Sequence, residues 1–300
     1  MEKSIVTSLE ESLLSADFDC KVYFGEILPE YEKEDQIELF GYILSNKTNE
    51  KLLDYTIRYV NSKRFTENLP DLIDFIVKPM EDKYTNLKVL AIKTISTFKD
   101  TRAVSALMYC LNNVNSNYKI KLASAEALGK IGDTVAFESL KGVVYDDNEK
   151  SVYVKESAVT ALGMLGDERA LDVFDSIINT KQMFLEKFSY LKEKIIEAMS
   201  KFDISKDKKA LDILKNSLLD NSPNVRISTI ETIMNSEIEG SYELIYDRLK
   251  FDDNIEVKKN ALVALYNISD GKILEEVMNG EYEPELKEYA KEISDEYEEK

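Results

Sequence analysis

The pattern of apolar and polar positions is most regular between residues 120 and 144, where it predicts two short helices that pack as a hairpin. The first apolar stripe consists of Ile120, Ser124, Ala125, Ala127, Leu128 and Ile131. Gly132 and Asp133 interrupt it, and a second stripe follows at Ala136, Leu140, Val143 and Val144. A near copy of the segment begins at Val154 and a weaker one at Leu87. The chain is therefore predicted to repeat one helical hairpin.

The first apolar residue of each first helix serves as an anchor for counting these repeats. The anchors are separated by 29 to 37 residues, a period typical of helical solenoids. They are Cys20, Leu52, Leu87, Ile120, Val154, Leu191, Val225, Val257 and Leu286. We therefore predict an all-α fold, a right-handed α-solenoid of about eight helical hairpins, since each unit buries its apolar face only against its neighbours.

The ends of the chain are predicted to close this array. Residues 1–15 form an amphipathic capping helix, residues 16–283 form the hairpin repeats, and residues 284–300 form an acidic capping helix. The prediction is thus one domain over residues 1–300. The segment 180–190 lengthens one repeat, either as an extended helix or as a protruding partner-binding element.

Charged residues recur in register with the anchors. A basic residue follows eight of the nine anchors, and an acidic residue usually lies six positions before it. We predict that such pairs tie adjacent repeats together and have a structural role, contributing up to about 1 kcal/mol each where exposed. The predicted pairs are Asp82 with Lys88, Glu149 with Lys155, Asp220 with Arg226, and Asp252 with Lys258.

The overall charge argues against several classes of partner. The chain has 57 acidic and 39 basic residues and a formal net charge of −18, which opposes binding to nucleic acid or to an anionic membrane. It contains neither a signal-like N-terminal run nor an apolar stretch of membrane-spanning length. We expect a cytoplasmic protein.

The chain offers little chemistry for catalysis. Histidine is absent, which removes imidazole bases and imidazole metal ligands. The two cysteines, Cys20 and Cys110, are isolated in sequence and are interpreted as small buried side chains. The acidic stretches 146–149 and 252–254 lack the spacing of a calcium loop and are interpreted as helix caps. We expect no catalytic residue, no metal site and no cofactor.

Two segments carry a family resemblance. IKLASAEALGKIGD, from Ile120, and VKESAVTALGMLGD, from Val154, resemble the HEAT-like repeats of the phycobilin-lyase type, whose units are written V-R-x-x-A-A-x-A-L-G-x-I-G-D. The resemblance implies a HEAT-like α-solenoid. It does not select a function, because proteins with this repeat include scaffolds, chromophore lyases, metal hydroxylases and DNA glycosylases.

Each of the enzyme classes with this repeat requires particular residues at its site. The hydroxylases hold a di-iron centre with His-Glu pairs, which a chain without histidine cannot form. The glycosylases use a basic face with aromatic residues, whereas this chain is acidic and lacks tryptophan. The bilin lyases bind an acidic tetrapyrrole, which would favour basic groove residues and a pocket with convergent polar groups between repeats.

The leading hypothesis from the sequence is a non-enzymatic adaptor. Its concave surface, formed by the second helices, would hold a partner protein with a basic surface, and it would bind neither nucleic acid nor membrane. The candidate binding residues are Tyr109, Asn112, Tyr145, Asp172, Asp175, Tyr246 and Asp247. The alternative is an accessory enzyme or cofactor-handling protein resembling the bilin lyases. The pattern leaves the oligomeric state open.

Overall fold

A computed structural model describes residues 5–15, 17–179, 186–236, 238–269 and 271–298. Within these ranges every regular element is helical. The chain forms two compact units, residues 1–161 and 162–300. None of the helices in the described ranges is long and apolar enough to cross a membrane.

The first unit contains four complete hairpins behind a short N-terminal helix. Its helices are α1 Ile5–Leu13, α2 Cys20–Val22, α3 Lys33–Asn46, α4 Glu50–Lys63, α5 Leu69–Val77, α6 Thr85–Phe98, α7 Val104–Asn112, α8 Tyr118–Ile131, α9 Phe137–Tyr145 and the larger part of α10 Val152–Leu165. First helices α2, α4, α6 and α8 pack side by side, and second helices α3, α5, α7 and α9 form a parallel layer.

The second unit continues the same alternation. After the end of α10 its helices are α11 Arg169–Ile178, α12 Glu186–Met199, α13 Lys208–Ser217, α14 Pro223–Met234, α15 Ser241–Phe251, α16 Ile255–Ile268, α17 Lys272–Asn279 and α18 Pro284–Glu298. First helices α12, α14, α16 and α18 pack in one layer, and second helix α11 packs on α13.

The nine anchor residues all lie on first helices and are all buried. The most exposed of them, Ile120, retains only 9% of its accessible surface. This burial arises because each anchor faces the apolar seam between the two layers of helices. The helical-repeat solenoid fold predicted from the sequence is thereby confirmed.

The turns from α6 to α7 and from α8 to α9 each use a left-handed residue followed by an aspartate cap. Gly132 has φ +79°, and the Asp133 carboxylate accepts a hydrogen bond from the backbone N–H of Val135 at 3.0 Å. In the repeat before it, Lys99 holds the left-handed position with φ +55°, and Asp100 supplies the cap. The left-handed turn is therefore retained in a repeat that lacks the glycine.

The N-terminal hairpin differs from the predicted one. The sequence predicts a continuous helix from Cys20 that ends at Pro29, but α2 is short and continues as a π-turn, Tyr23–Ile27, and a 3₁₀ turn, Leu28–Glu30. Phe24 and Phe40, whose rings stack, sit here in a cluster of aromatic side chains.

Parts of the terminal and irregular segments can also be placed. Ile5 and Leu9 of α1 are buried, and α1 packs on α3 as a capping helix would. The last helix, α18, packs on α16 and α17. In the predicted irregular segment, residues 180–185 and the side chains of residues 186–190 lie outside the described part of the chain.

Candidate functional site

Three of the predicted binding residues lie on second helices of the first unit. Tyr109 on α7 keeps 54% of its surface exposed, and Tyr145, the last residue of α9, keeps 47%. Asn112 is exposed at the end of α7, and its amide donates a hydrogen bond to the Ser139 hydroxyl of α9 at 3.1 Å. Because α7 and α9 pack together, these residues share one layer of the first unit.

The other four lie on second helices of the second unit and are more engaged. Asp172 on α11 forms an ion pair with Lys209 of α13, and Asp175 accepts a hydrogen bond from the Asn179 amide. The Tyr246 hydroxyl donates to the Glu276 carboxylate of α17 at 2.6 Å. Asp247 is exposed on α15. Asp172 and Asp247 are thus the exposed members of this set, and Asp172 is held in an ion pair.

The charged residues of the first helices form ion pairs between consecutive repeats. In each pair, the cation in the first turns of one first helix meets a carboxylate in the loop, or at its end, before the next first helix. We call these contacts the inter-repeat ion pairs. They are Lys121–Glu149 at 2.8 Å, Lys192–Asp220 at 2.5 Å, Arg226–Asp252 at 2.8 Å, and Lys258–Glu283.

The observed partners differ from those expected six residues upstream. The Asp220 carboxylate contacts Lys192, while Arg226 reaches only the backbone carbonyl oxygen of Asp220, at 2.8 Å. Lys258 likewise pairs forward with Glu283, and Asp252 pairs backward with Arg226. The reason is the hairpin: its second helix returns the chain to the end of the first helix where the earlier cation lies.

The same carboxylates cap the loops in which they lie. One oxygen accepts a hydrogen bond from the backbone N–H two residues on, in Glu149–Ser151, Asp220–Ser222 and Asp252–Asn254. The Asp146 carboxylate accepts from the Asn148 N–H in the same way. These bonds support interpreting the acidic loops as capping segments. No group of side chains in the described residues is arranged to hold a metal ion.

Arg226 and Asp252 form the most deeply buried of these pairs. The Arg226 side chain is 8% exposed to solvent and the Asp252 side chain is 1% exposed. A second carboxylate, Asp253, lies 3.0 Å from the same guanidinium but is 92% exposed. The Arg226 Nε is buried and has no hydrogen-bond partner among the described residues. The positive charge of Arg226 is removed from water, and the buried Asp252 carboxylate compensates it.

In the first unit, a cavity opens at the N-terminal ends of the first helices α6 and α8. Its volume is about 380 Å³, and it lies between the loop that follows α5 and the loop that follows α7. Its walls combine apolar side chains with amide and hydroxyl groups of the second loop, and include Met80, Tyr109, Ile120, Asn113, Asn115 and Ser116. Lys88 and Cys110 also line it.

Lys88 is the least exposed of the four charged residues that line this cavity, which are Lys78, Glu81, Asp82 and Lys88. Its ammonium donates hydrogen bonds to the backbone carbonyls of Ile76, at 2.9 Å, and Lys78. Burial lowers the pKa of Lys88, because desolvation disfavours its charged form. Burial also raises the pKa of the neighbouring Cys110 thiol to about 11, so this cysteine is not an activated nucleophile.

Sequence reasoning missed three exposed apolar residues, one in the first unit and two in the second, that lie just before the inter-repeat loops or within them. Val114, Leu219 and Phe251 retain 85%, 68% and 74% of their surface. Each directly precedes the loop position that carries Asn115, Asp220 or Asp252. That fixed offset is the signal by which they could have been found.

The repeats match known families over part of the chain. The HEAT repeats family matches residues 69–152, and the PBS lyase HEAT-like repeat family matches residues 154–174. The chain is also 32% identical, over 85 residues, to phycocyanobilin lyase subunit alpha from Picosynechococcus sp.. That match covers 27% of this chain and 31% of the relative, so it spans about a third of the relative's length.

Two solved structures resemble the chain at low sequence identity. The complex of CpcE and CpcF of phycocyanin lyase from Nostoc sp. aligns with a TM-score of 0.43 and 20% identity, covering 73% of this chain and 85% of that one. Human deoxyhypusine hydroxylase in complex with glycerol aligns with a TM-score of 0.36 and 18% identity, covering 89% and 97%.

Proposed function

Because this chain is a HEAT-like repeat protein of the PBS lyase type, we propose that it acts as an accessory protein resembling a bilin lyase subunit. In this role it binds both a partner protein and the bilin-like cofactor that the partner is to carry. The observation that carries the proposal is the 32% identity with a phycocyanobilin lyase subunit within repeats of the same type. A cytoplasmic location is part of the proposal.

Titration with phycocyanobilin tests this role directly. We expect a saturable change in the visible absorbance of the pigment and an induced visible circular dichroism band, since a chiral site orders a bound chromophore. The control is the heat-unfolded chain at the same concentration. A linear, non-saturating response that equals the control would contradict the lyase-like role.

The second candidate is a non-enzymatic adaptor that holds a basic partner protein. The specific support is the exposure of Tyr109 and Tyr145 on neighbouring second helices, because tyrosine combines apolar contact area with one polar group. The overall charge of −18 favours a partner of opposite sign.

Surface variants separate specific partner binding from charge attraction. For a partner captured at low salt, we expect Tyr109→Ala combined with Tyr145→Ala to weaken binding at least about tenfold. The matched control is Tyr153→Ala, since Tyr153 is 66% exposed but lies on the first helix α10. Equal binding by the double variant and the wild type would count against the adaptor.

A further inference from the structure

Among the first helices α2, α4, α6 and α8 of the first unit, only α8 forms an inter-repeat ion pair with a described residue, because position 53 is a leucine and neither Lys21 nor Lys88 has a described carboxylate partner. Lys121 pairs with Glu149, whereas Lys88, the equivalent cation one repeat earlier, makes no ion pair with any described carboxylate. The position that should supply its partner is Asn115, which stands 27 residues after Lys88, as Glu149 stands 28 residues after Lys121. An amide carries no charge, so the repeat lacks its anion.

The missing anion coincides with the cavity. Lys88 and Asn115 both line the space of about 380 Å³ between the two loops. The ammonium of Lys88 has three N–H donors, and two of them are directed to the carbonyls of Ile76 and Lys78. Two carbonyl oxygens leave the formal charge of a half-buried lysine uncompensated.

The acidic groups at the rim do not take the place of that partner. Glu81 lines the cavity but pairs with Lys83 at 3.2 Å. Asp82 also lines it and is exposed, while the Lys88 ammonium is directed to the end of α5. The loop opposite contributes neutral groups, Asn113, Ser116 and Asn117, that can hydrogen-bond an oxygen anion.

We propose that this cavity binds the carboxylate of a small organic acid, which occupies the place that a loop carboxylate takes in the repeats of Lys121, Lys192, Arg226 and Lys258. The carboxylate would pair with Lys88 and accept hydrogen bonds from the asparagine-rich loop. The remainder of the ligand would contact Met80, Tyr109 and Ile120, so the apolar walls favour an acid with a hydrocarbon or aromatic body. This inference does not rest on the proposed function.

The test uses the full chain and three acids as probes: acetate, succinate and benzoate. Each is compared with its uncharged amide by titration calorimetry and by thermal melting. We expect at least one acid to bind saturably and raise Tm while its amide does not, because only the acid carries the charge. If none of the three acids binds, the proposal is overturned.

Four variants make the assignment specific. Lys88→Met should weaken binding of the acid at least about tenfold, and Asn115→Asp should do the same because its own carboxylate fills the site. Asn115→Ala should retain binding. Lys121→Met, which alters the paired cation of the next repeat, is the matched control and should also retain it. Equal affinity in the wild type and in Lys88→Met or Asn115→Asp would overturn the proposal.

A ligand-free measurement checks the same idea. Asn115→Asp should raise Tm relative to Asn115→Ala, because the new carboxylate completes an inter-repeat ion pair with Lys88. In a Lys88→Met background that difference should disappear. An Asn115→Asp chain with the same Tm as Asn115→Ala would show that no anion is missing at this position.

Discussion

Asp252 is the buried carboxylate of the Arg226–Asp252 ion pair in the second unit. One of its oxygens accepts hydrogen bonds from both the Arg226 guanidinium and the Asn254 N–H, and the other lies 3.7 Å from Arg248. At 1% exposure this carboxylate is shielded from water. Removing a buried carboxylate therefore costs far more stability than removing an exposed one, because its cation stays buried without its partner.

We predict that Asp252→Ala lowers the free energy of unfolding by about 3–5 kcal/mol, because it removes the buried partner of Arg226 and leaves only an exposed carboxylate beside the guanidinium. Asp253→Ala is the matched control: it removes a carboxylate 3.0 Å from the same guanidinium but 92% exposed, and should cost less than about 1 kcal/mol. Urea denaturation measures both. Comparable losses in the two variants would mean that burial does not decide the contribution.

Single residues also show why the ion pairs were mispredicted. A spacing of six between Asp220 and Arg226 places them close in sequence, but the direction of a carboxylate depends on its capping bond. Asp220 turns one oxygen to the Ser222 N–H and the other to Lys192, which lies 28 residues earlier. The sequence identifies the charged positions, whereas the hairpin decides which of them meet.

At the level of the helices, close packing of α10 on α12 in the second unit depends on one glycine. A methyl group at Gly163 would lie 2.8 Å from the Ala198 Cβ and 3.1 Å from its carbonyl oxygen. Neither the Cβ nor the backbone can move aside as the end of a flexible side chain would. The absent side chain therefore sets how closely these two helices approach.

We predict that Gly163→Ala destabilises the protein by about 1–3 kcal/mol through overpacking. Gly142→Ala, within α9, should instead stabilise it by about 0.5–1 kcal/mol, because nothing lies within 4 Å of the added methyl and alanine favours a helix. Thermal melts of both variants give the sign of each effect. A stabilising Gly163→Ala would disprove the close contact.

The helices were largely predictable because their signal is periodic and local. Every anchor identified from the sequence is buried on a first helix, and the Gly-Asp turn at Gly132 has the expected left-handed geometry. The capping turn at Asp100 was also expected, although no glycine precedes it. The π-turn at Tyr23–Ile27 was not expected, because the pattern there predicts one continuous helix. The cavity beside Lys88 lies where Asn115 replaces the acidic residue of the repeat pattern. A single replacement gives a weaker sequence signal than a residue type that recurs in most repeats, so the cavity was not predicted.

For the molecule as a whole, paired surface carboxylates predict a decline in stability in acid. Hydrogen bonds from Arg102, Arg169 and Lys258 lower the pKa of Asp100, Asp167 and Glu283 below their ordinary values. A carboxylate whose pKa is lower in the folded state stabilises the fold above its unfolded pKa, and this contribution is lost as pH falls through the folded pKa.

We therefore expect Tm to be steady near neutrality and to fall once the pH drops below about 4, where carboxylates of the unfolded chain take up protons. Glu283→Gln should have a lower Tm at neutral pH and a smaller fall in acid, because it lacks one of the titrating groups. Melts from pH 7 downward check both statements. Parallel curves for the variant and the wild type would show that Glu283 does not contribute.

The direction of the inter-repeat ion pairs, from a first-helix cation to the following loop, also bears on how such a chain can grow. Lys192 contacts Asp220 and Arg226 contacts Asp252, so every contact of this kind joins one repeat to its successor. A gene duplication that inserts one further copy breaks an old contact but creates two equivalent ones at the new junctions. Lengthening by whole repeats therefore preserves ionic matching at every step, whereas an insertion of any other length would leave a cation facing the wrong residue.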